Sequence, residues 1–227
     1  MLSRLLAPLL AGIAVLLVAG IAVLVSSNLT DPIDLAFIRA VRDPNLVAPL
    51  SFLRQVTELG STTAMIVLAI VLLLVEVLAR RPWRGIAAAA TIGLASLGNE
   101  LVKGLIERTR PDLIQPIVAE RGYSFPSGHA ALSMVGYGVA AVLVARSGAP
   151  RAVRVAAIVA AGCLVALIGI SRIYLGAHFP TDVVAGWLAG GAVVLLFAWL
   201  SPGSRARAGE SAGGGPAGQR SDQPGNE

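Results

Sequence analysis

A chain of 227 residues that is 56% hydrophobic and only 14% charged falls well short of the roughly 25% charge of a soluble domain, which excludes water as the solvent for most of it. The formal charge of +5 would suggest nucleic acid in a soluble protein. Here the arginines fall in short clusters between apolar runs, so they read as topology signals and no nucleic-acid partner is expected. The length holds one domain of six spans of about 20 residues with their loops, and no second folded domain.

In chain order, the first apolar run, residues 5–25, exceeds the roughly 7–15-residue core of a cleavable signal peptide and has no small-residue cleavage site after it, which predicts a retained first helix. Between 26 and 61, Ile33, Phe37, Ile38 and Val41 recur at helical spacing among Asp34, Arg39 and Arg42. This predicts a short amphipathic helix, either lying on the membrane surface or packed as a loop helix. Asn28-Leu29-Thr30 fits a glycosylation acceptor, a pattern short enough to arise by chance.

Five further runs, at 62–78, 86–106, 130–145, 153–170 and 183–200, come near the length that crosses a hydrocarbon core. None alternates apolar with polar residues as a barrel strand would, so all are helices, whose backbones satisfy their own hydrogen bonds in lipid. Gly and Ala recur in them, as in 85–90 and 185–191, and let neighbouring helices approach closely. Cys163, the single cysteine, lies inside an apolar run; it excludes an internal disulfide and is expected to be a buried packing residue. Residues 201–227 turn to Ser, Gly, Pro, Gln and Arg, the composition of a disordered tail with no catalytic role. The predicted fold is therefore an all-α polytopic membrane protein: residues 1–200 form a six-helix bundle with short interfacial helices on its outer side.

Basic residues set the orientation, because short cytoplasmic loops carry the excess of Lys and Arg. Arg4, then Arg80, Arg81 and Arg84, then Arg146, Arg151 and Arg154, and finally Arg205 and Arg207 all fall on one side. Both termini and the tail are thus expected in the cytoplasm, and the connections 26–61, 107–129 and 171–182 on the opposite face of the cell membrane.

Those outer connections hold both histidines of the chain. At the end of the third span come Lys103 and Arg110, seven residues apart; on a continuing helix they lie about 20° from one face and both point at one anion. Ahead of the fourth span, Ser127 is placed to cap the helix and Gly128 lets a ligand approach the backbone N–H groups, which makes an anion cradle beside His129. Leading into the sixth, Arg172 is followed by His178 and Asp182. Pro180 suits a first-turn position, and Asp182 four residues after His178 can orient its ring. Each cluster alone has a plain structural explanation: interfacial anchors, a helix cap, a structural His–Asp pair. Their coincidence at one membrane face, where charge is costly, points to a working site.

The pattern Lys-x6-Arg-Pro, Pro-Ser-Gly-His and Ser-Arg-x5-His-x3-Asp resembles the three signature motifs of the type 2 phosphatidic acid phosphatase superfamily, over about residues 60–200. The resemblance implies hydrolysis of a lipid phosphate through a phosphohistidine. His178 is then the nucleophile, Asp182 its orienting acid and His129 the proton donor; Lys103, Arg110, Arg172, Ser127 and the Gly128 N–H hold the phosphoryl oxygens. Fixed cations and N–H donors suit the charge on a transferring phosphoryl group. No acidic cluster of metal-ligand type falls on the outer side, so neither metal nor other cofactor is expected. Among substrates, undecaprenyl diphosphate is placed slightly ahead of phosphatidic acid and phosphatidylglycerol phosphate, with Glu120, Arg121 and Tyr123 as loop residues that could set specificity. Two other readings are a vanadate-dependent haloperoxidase, which is soluble and so fits badly, and a lipid-phosphate binding or transport protein, which needs the cations but not the nucleophile. Oligomeric state is not readable.

Overall fold

The computed structural model describes residues 2–42, 49–111 and 122–201. Within them the chain is all helical: α1 (Leu2–Ser26), α2 (Asp31–Val41), α3 (Leu50–Glu58), α4 (Thr62–Leu78), α5 (Pro82–Ile106), α6 (Gly128–Ala145), α7 (Arg151–Tyr174) and α8 (Pro180–Leu200). Five of these, α1 and α5 to α8, are long and apolar enough to cross a bilayer. Helix α4 has 17 residues, about 25 Å at 1.5 Å per residue, and falls short of a core of roughly 30 Å. It completes a sixth span only together with α3, to which it is joined at a bend of 48°. The bend falls at Gly60 and Ser61, where Ser61 Oγ accepts from the Ala64 N–H at 3.2 Å and so starts α4 anew. Expected and observed starts and ends of the spans differ by a few residues.

Helix α6 is the most enclosed. It packs into a core of Met65, Ala88, Ile92, Leu132, Val135, Val139, Leu143 and Phe197. Its contact with α8 depends on small residues: a Cβ at Gly186 would stand 2.7 Å from Ser127 O, and one at Gly190 2.6 Å from Ala131 O. Only glycine permits backbones this close. Helix α1 closes one side of α8 through Val25, Phe125 and Ala185.

Several expectations are revised. Helix α2 forms over the expected residues, with Ile33 and Phe37 exposed and with Asp34 and Ile38 buried against the bundle. Burial of the Asp34 carboxylate, which the helical spacing does not indicate, goes with a cationic partner described below. Helix α3 was not foreseen. Cys163 is exposed on α7 rather than buried; on a membrane-spanning helix an outward apolar position meets lipid, so apolar sequence does not distinguish core from periphery. Lys103 and Arg110 do not share a helix. Helix α5 ends at Ile106, and Glu107 turns the chain into the left-handed region at φ 51°, so Arg110 is carried by a loop.

At the end of the bundle opposite the histidines, the basic residues also bind helix ends. Arg84 pairs with Glu76 at 3.4 Å and donates to Leu143 O at 3.3 Å. Arg146 donates to Ala198 O in the last turn of α8 and to Ser201 O just beyond it. Cations are favoured at helix C-termini. The tail after residue 201, with Glu120 and Arg121, lies outside the described residues.

Candidate active site

The site assembles where α5 and α7 end and α6 and α8 begin. Helix α7 stops because Gly176 takes φ 73°, a helix-ending conformation natural to glycine. The N–H groups of Ala177 and His178 both donate to Arg172 O, at 3.0 and 3.3 Å. This hook sets His178 two residues before α8. Pro180 occupies the first turn of α8, and Asp182 at its third position accepts the Phe179 N–H on Oδ2 at 3.0 Å, a carboxylate at a favourable helix end.

The His178 ring is buried, at 1% exposure. Its Nδ1 stands 3.5 Å from Asp182 Oδ2 and its Nε2 stands 3.3 Å from a guanidinium nitrogen, Nη1, of Arg110. A guanidinium has only donors, so the ring turns a lone pair to Arg110 and its proton, on Nδ1, to Asp182. Desolvation pushes the His178 pKa down to about 4; Asp182 opposes this, while Arg172 and Arg110 add to it. The imidazole is therefore neutral at neutral pH, with its free lone pair directed at a cation.

Arg110 is fixed by three carbonyls: Nη1 donates to Ala177 O at 2.8 Å, Nε to Gly122 O at 3.0 Å and Nη2 to Tyr123 O at 3.3 Å. Ser124 ties the same loops together, with Oγ donating to Thr109 O at 2.9 Å and N–H to Arg108 O at 2.8 Å. Tyr123 itself is exposed. Arg172, buried in the last turn of α7, donates from Nη1 to Thr57 Oγ1 of α3 at 3.0 Å, so the unforeseen helix α3 serves to hold a site cation.

Ser127 occupies the N-cap position of α6, but its hydroxyl makes no cap bond. Its N–H instead donates to Asp182 O at 3.0 Å, joining the second cluster to the third. The Ser127 Oγ is buried and has no hydrogen-bond partner among the described residues, an arrangement that leaves a donor available to an incoming anion. At Gly128 a Cβ would lie 3.1 Å from Asn99 Nδ2 and 3.6 Å from Lys103 Nζ. The absent side chain thus leaves space beside the lysine, whose ammonium pairs with Glu100 Oε1 at 3.1 Å. His129 sits in the first turn of α6 with its backbone against the Gly60 bend. All the expected site residues lie at this one end of the bundle. Among the described residues, no group of three or more His, Cys, Asp or Glu side chains is placed to hold a metal ion.

Two residues escaped sequence reasoning. Arg108 is buried and binds Asp182, Asp34 and Asp31, and Asp34 reaches from α2 to the first turn of α8, accepting the Thr181 N–H at 3.0 Å. The one signal available was the density of basic residues in 103–110. A partner for it some 75 residues away is invisible to spacing.

A cavity of about 1030 Å³ runs from Asn99, Val102 and Pro126, beside the site, to Arg81, Arg84 and Ser201 at the far end. Its walls are mostly apolar residues of α1, α5, α6 and α8. From Pro82 to Val102 the groove follows α5 for about 30 Å, the thickness of a hydrocarbon core.

Helices of this length and composition, with a buried imidazole, a carboxylate and several cations gathered at one end of the bundle, define a polytopic membrane protein. Residues 84–206, more than half the chain, match the PAP2 superfamily, and the chain belongs to it: it is a membrane lipid phosphatase of that superfamily. It is 36% identical over 143 residues to phosphatidylglycerophosphatase B of Bacillus subtilis, covering 63% of this chain and 68% of that protein. To undecaprenyl-diphosphatase of Sulfolobus acidocaldarius it is 32% identical, over 49% of this chain and 52% of the other. The crystal structure of the first transmembrane PAP2-type phosphatidylglycerolphosphate phosphatase, from Bacillus subtilis, superposes with a TM-score of 0.76 at 29% identity, over 82% of this chain and 93% of that one.

Proposed function

We propose that the protein hydrolyses a phosphomonoester or diphosphate of a lipid through a phosphohistidine, without a metal ion. The observation that carries the reading is the His178 ring, buried and neutral, with Nδ1 toward Asp182 and Nε2 toward Arg110. A phosphoryl group entering beside Arg110 brings its phosphorus to the Nε2 lone pair. The N–P bond forms as the P–O bond to the lipid breaks, and His129 gives its proton to the leaving oxygen. The Nδ1 proton stays on the ring, and Asp182 stabilises the imidazolium that develops. Water then attacks phosphorus, with His129 taking its proton, and releases phosphate and the free imidazole. Lys103, Arg110, Arg172, the Ser127 hydroxyl and the Gly128 N–H receive the charge on the equatorial oxygens, the task a metal ion performs elsewhere.

The lipid chain lies in the apolar groove, whose upper end at Asn99, Val102 and Pro126 adjoins Lys103 and Gly128. The histidine end faces the extracytoplasmic side and both termini face the cytoplasm, as the distribution of arginine supports. Undecaprenyl diphosphate and phosphatidylglycerol phosphate are the two leading substrates: a relative of each activity is similar to the chain, and the phosphatidylglycerophosphatase matches over the longer stretch. The test is phosphate release by the purified full chain in detergent, from a panel holding both lipids and phosphatidic acid, against His178→Ala. Release abolished by that substitution, with one lipid clearly preferred, supports the proposal. Equal release by wild type and His178→Ala would remove the nucleophile from it.

A further inference from the structure

Arg108 is a buried cation of the site end to which no phosphate-binding role is given, and its surroundings assign it another. Its Nη1 donates to Asp182 Oδ1 at 2.7 Å and to Thr181 Oγ1 at 2.8 Å. Its Nη2 donates to Asp34 Oδ2 at 2.8 Å, Asp31 Oδ1 at 3.0 Å and Thr30 Oγ1 at 3.2 Å. The guanidinium plane stands 4.0 Å from the centroid of the Phe179 ring. One planar fork therefore spans α2, the loop after α5 and the first turn of α8.

The two oxygens of Asp182 are divided between different tasks. Oδ2 takes the Phe179 N–H and faces His178 Nδ1, while Oδ1 is held by Arg108. We propose that Arg108 is a positioning residue for catalysis, locking Asp182 in the orientation that directs the His178 ring, with Asp34 as its counter-anchor on α2. The inference rests on the phosphohistidine reading.

The electrostatics require such a group. Asp34 and Asp182 are both fully buried, and burying a carboxylate is costly unless a cation and hydrogen bonds accompany it. Arg108 sits between the two. Burial works against its own charge, but Asp182 and Asp34 more than offset this and hold its pKa above the ordinary value. Around the imidazole the remaining charges are cationic, Arg110 from the loop after α5 and Arg172 from α7. Among the described residues Asp182 is the carboxylate facing the ring, and Arg108 is the cation paired with its other oxygen. A lysine preserves the charge but, as a point donor, does not span both carboxylates as the fork does.

The experiment uses the full chain in detergent, dioctanoyl phosphatidic acid as probe substrate and inorganic phosphate as inhibitor. Wild type against His178→Ala reports on the phosphatase reading alone. Arg108→Gln is expected to lower kcat about 10- to 100-fold, the range for losing an outer partner of a functional histidine, with phosphate inhibition within threefold of wild type. The acid limb of kcat/KM should move from its wild-type position, because the carboxylate that faces the His178 ring has lost its partner. Should Arg108→Gln fail to fold, Arg108→Lys keeps the charge and should show the wild-type limb with reduced kcat.

A readout independent of turnover exists because the chain has only two histidines. In protein labelled with ¹⁵N-histidine, Arg108→Gln should shift the ring titration of one histidine, His178, and leave His129 in place. Wild-type kcat in both Arg108 variants, an unmoved His178 titration, or kcat and phosphate affinity lost together in proportion would overturn the proposal.

Discussion

His178 Nδ1 and Asp182 Oδ2 face each other at 3.5 Å across the junction between a loop and the first turn of α8. The gap is longer than a hydrogen bond of roughly 2.7–3.2 Å, so in the resting protein the carboxylate acts on the ring mainly through its charge. As positive charge builds on the imidazole during phosphoryl transfer, this contact strengthens more than any interaction with bound phosphate. Asp182→Asn is therefore expected to lower kcat by about 10² to 10⁴, toward the loss seen when a triad carboxylate is neutralised. Inhibition by inorganic phosphate should change less than threefold, and steady-state kinetics with phosphate as inhibitor measures both.

The low pKa of His178, about 4, fixes the sign of a pH effect. Between that value and the ordinary 6.5 the unfolded chain binds a proton that the folded chain refuses. The contribution of this ring to stability is thus complete above about pH 6.5 and is lost as pH falls toward 4. Catalysis follows the same direction: the acid limb of kcat/KM, corrected for substrate ionisation, is expected near pH 4 to 5 and not near 6.5. Thermal unfolding in detergent and a pH-rate profile check the two halves.

Arg110 uses all three guanidinium nitrogens on carbonyls of two loops while facing the nucleophile. Arg110→Lys keeps the charge but supplies one donor centre, so it frees the loops as well as weakening the phosphate contact. A fall in kcat/KM of about 10²-fold is expected, corresponding to roughly 2.7 kcal/mol. Unchanged kinetics would place the phosphate elsewhere.

Gly98 lines the groove, and a Cβ there would meet open space. Gly98→Leu should fold, since leucine is favoured over glycine in a helix by nearly 1 kcal/mol. Its side chain narrows the groove near the site. KM for a long-chain lipid phosphate should rise several-fold while hydrolysis of a short, water-soluble phosphomonoester stays within twofold, which assays on the two substrates compare directly.

Much of the candidate site was legible because its chemistry is written in residue types at fixed short spacings. The residues Lys103, Arg110, Ser127, Gly128, His129, Arg172, His178 and Asp182 all lie at one end of the bundle. How they meet differs from what spacing alone predicts. Lys103 and Arg110 were to share a helix face, but Glu107 ends the helix between them. Ser127 was to cap α6 with its hydroxyl, but that group is left over and its N–H binds Asp182 O.

The sequence by itself determined what lipid imposes locally: apolar runs must become helices of spanning length, and the arginines must collect at their ends. Only the tertiary structure decided which charges compensate one another. Asp34 reads as the polar face of an amphipathic helix and Arg108 belongs to no motif, and in the fold the two are buried against each other at 2.8 Å. The reason is physical. Burial of a charge depends on its partner in space, and nothing in residues 103–110 records that α2 and the start of α8 will close over them.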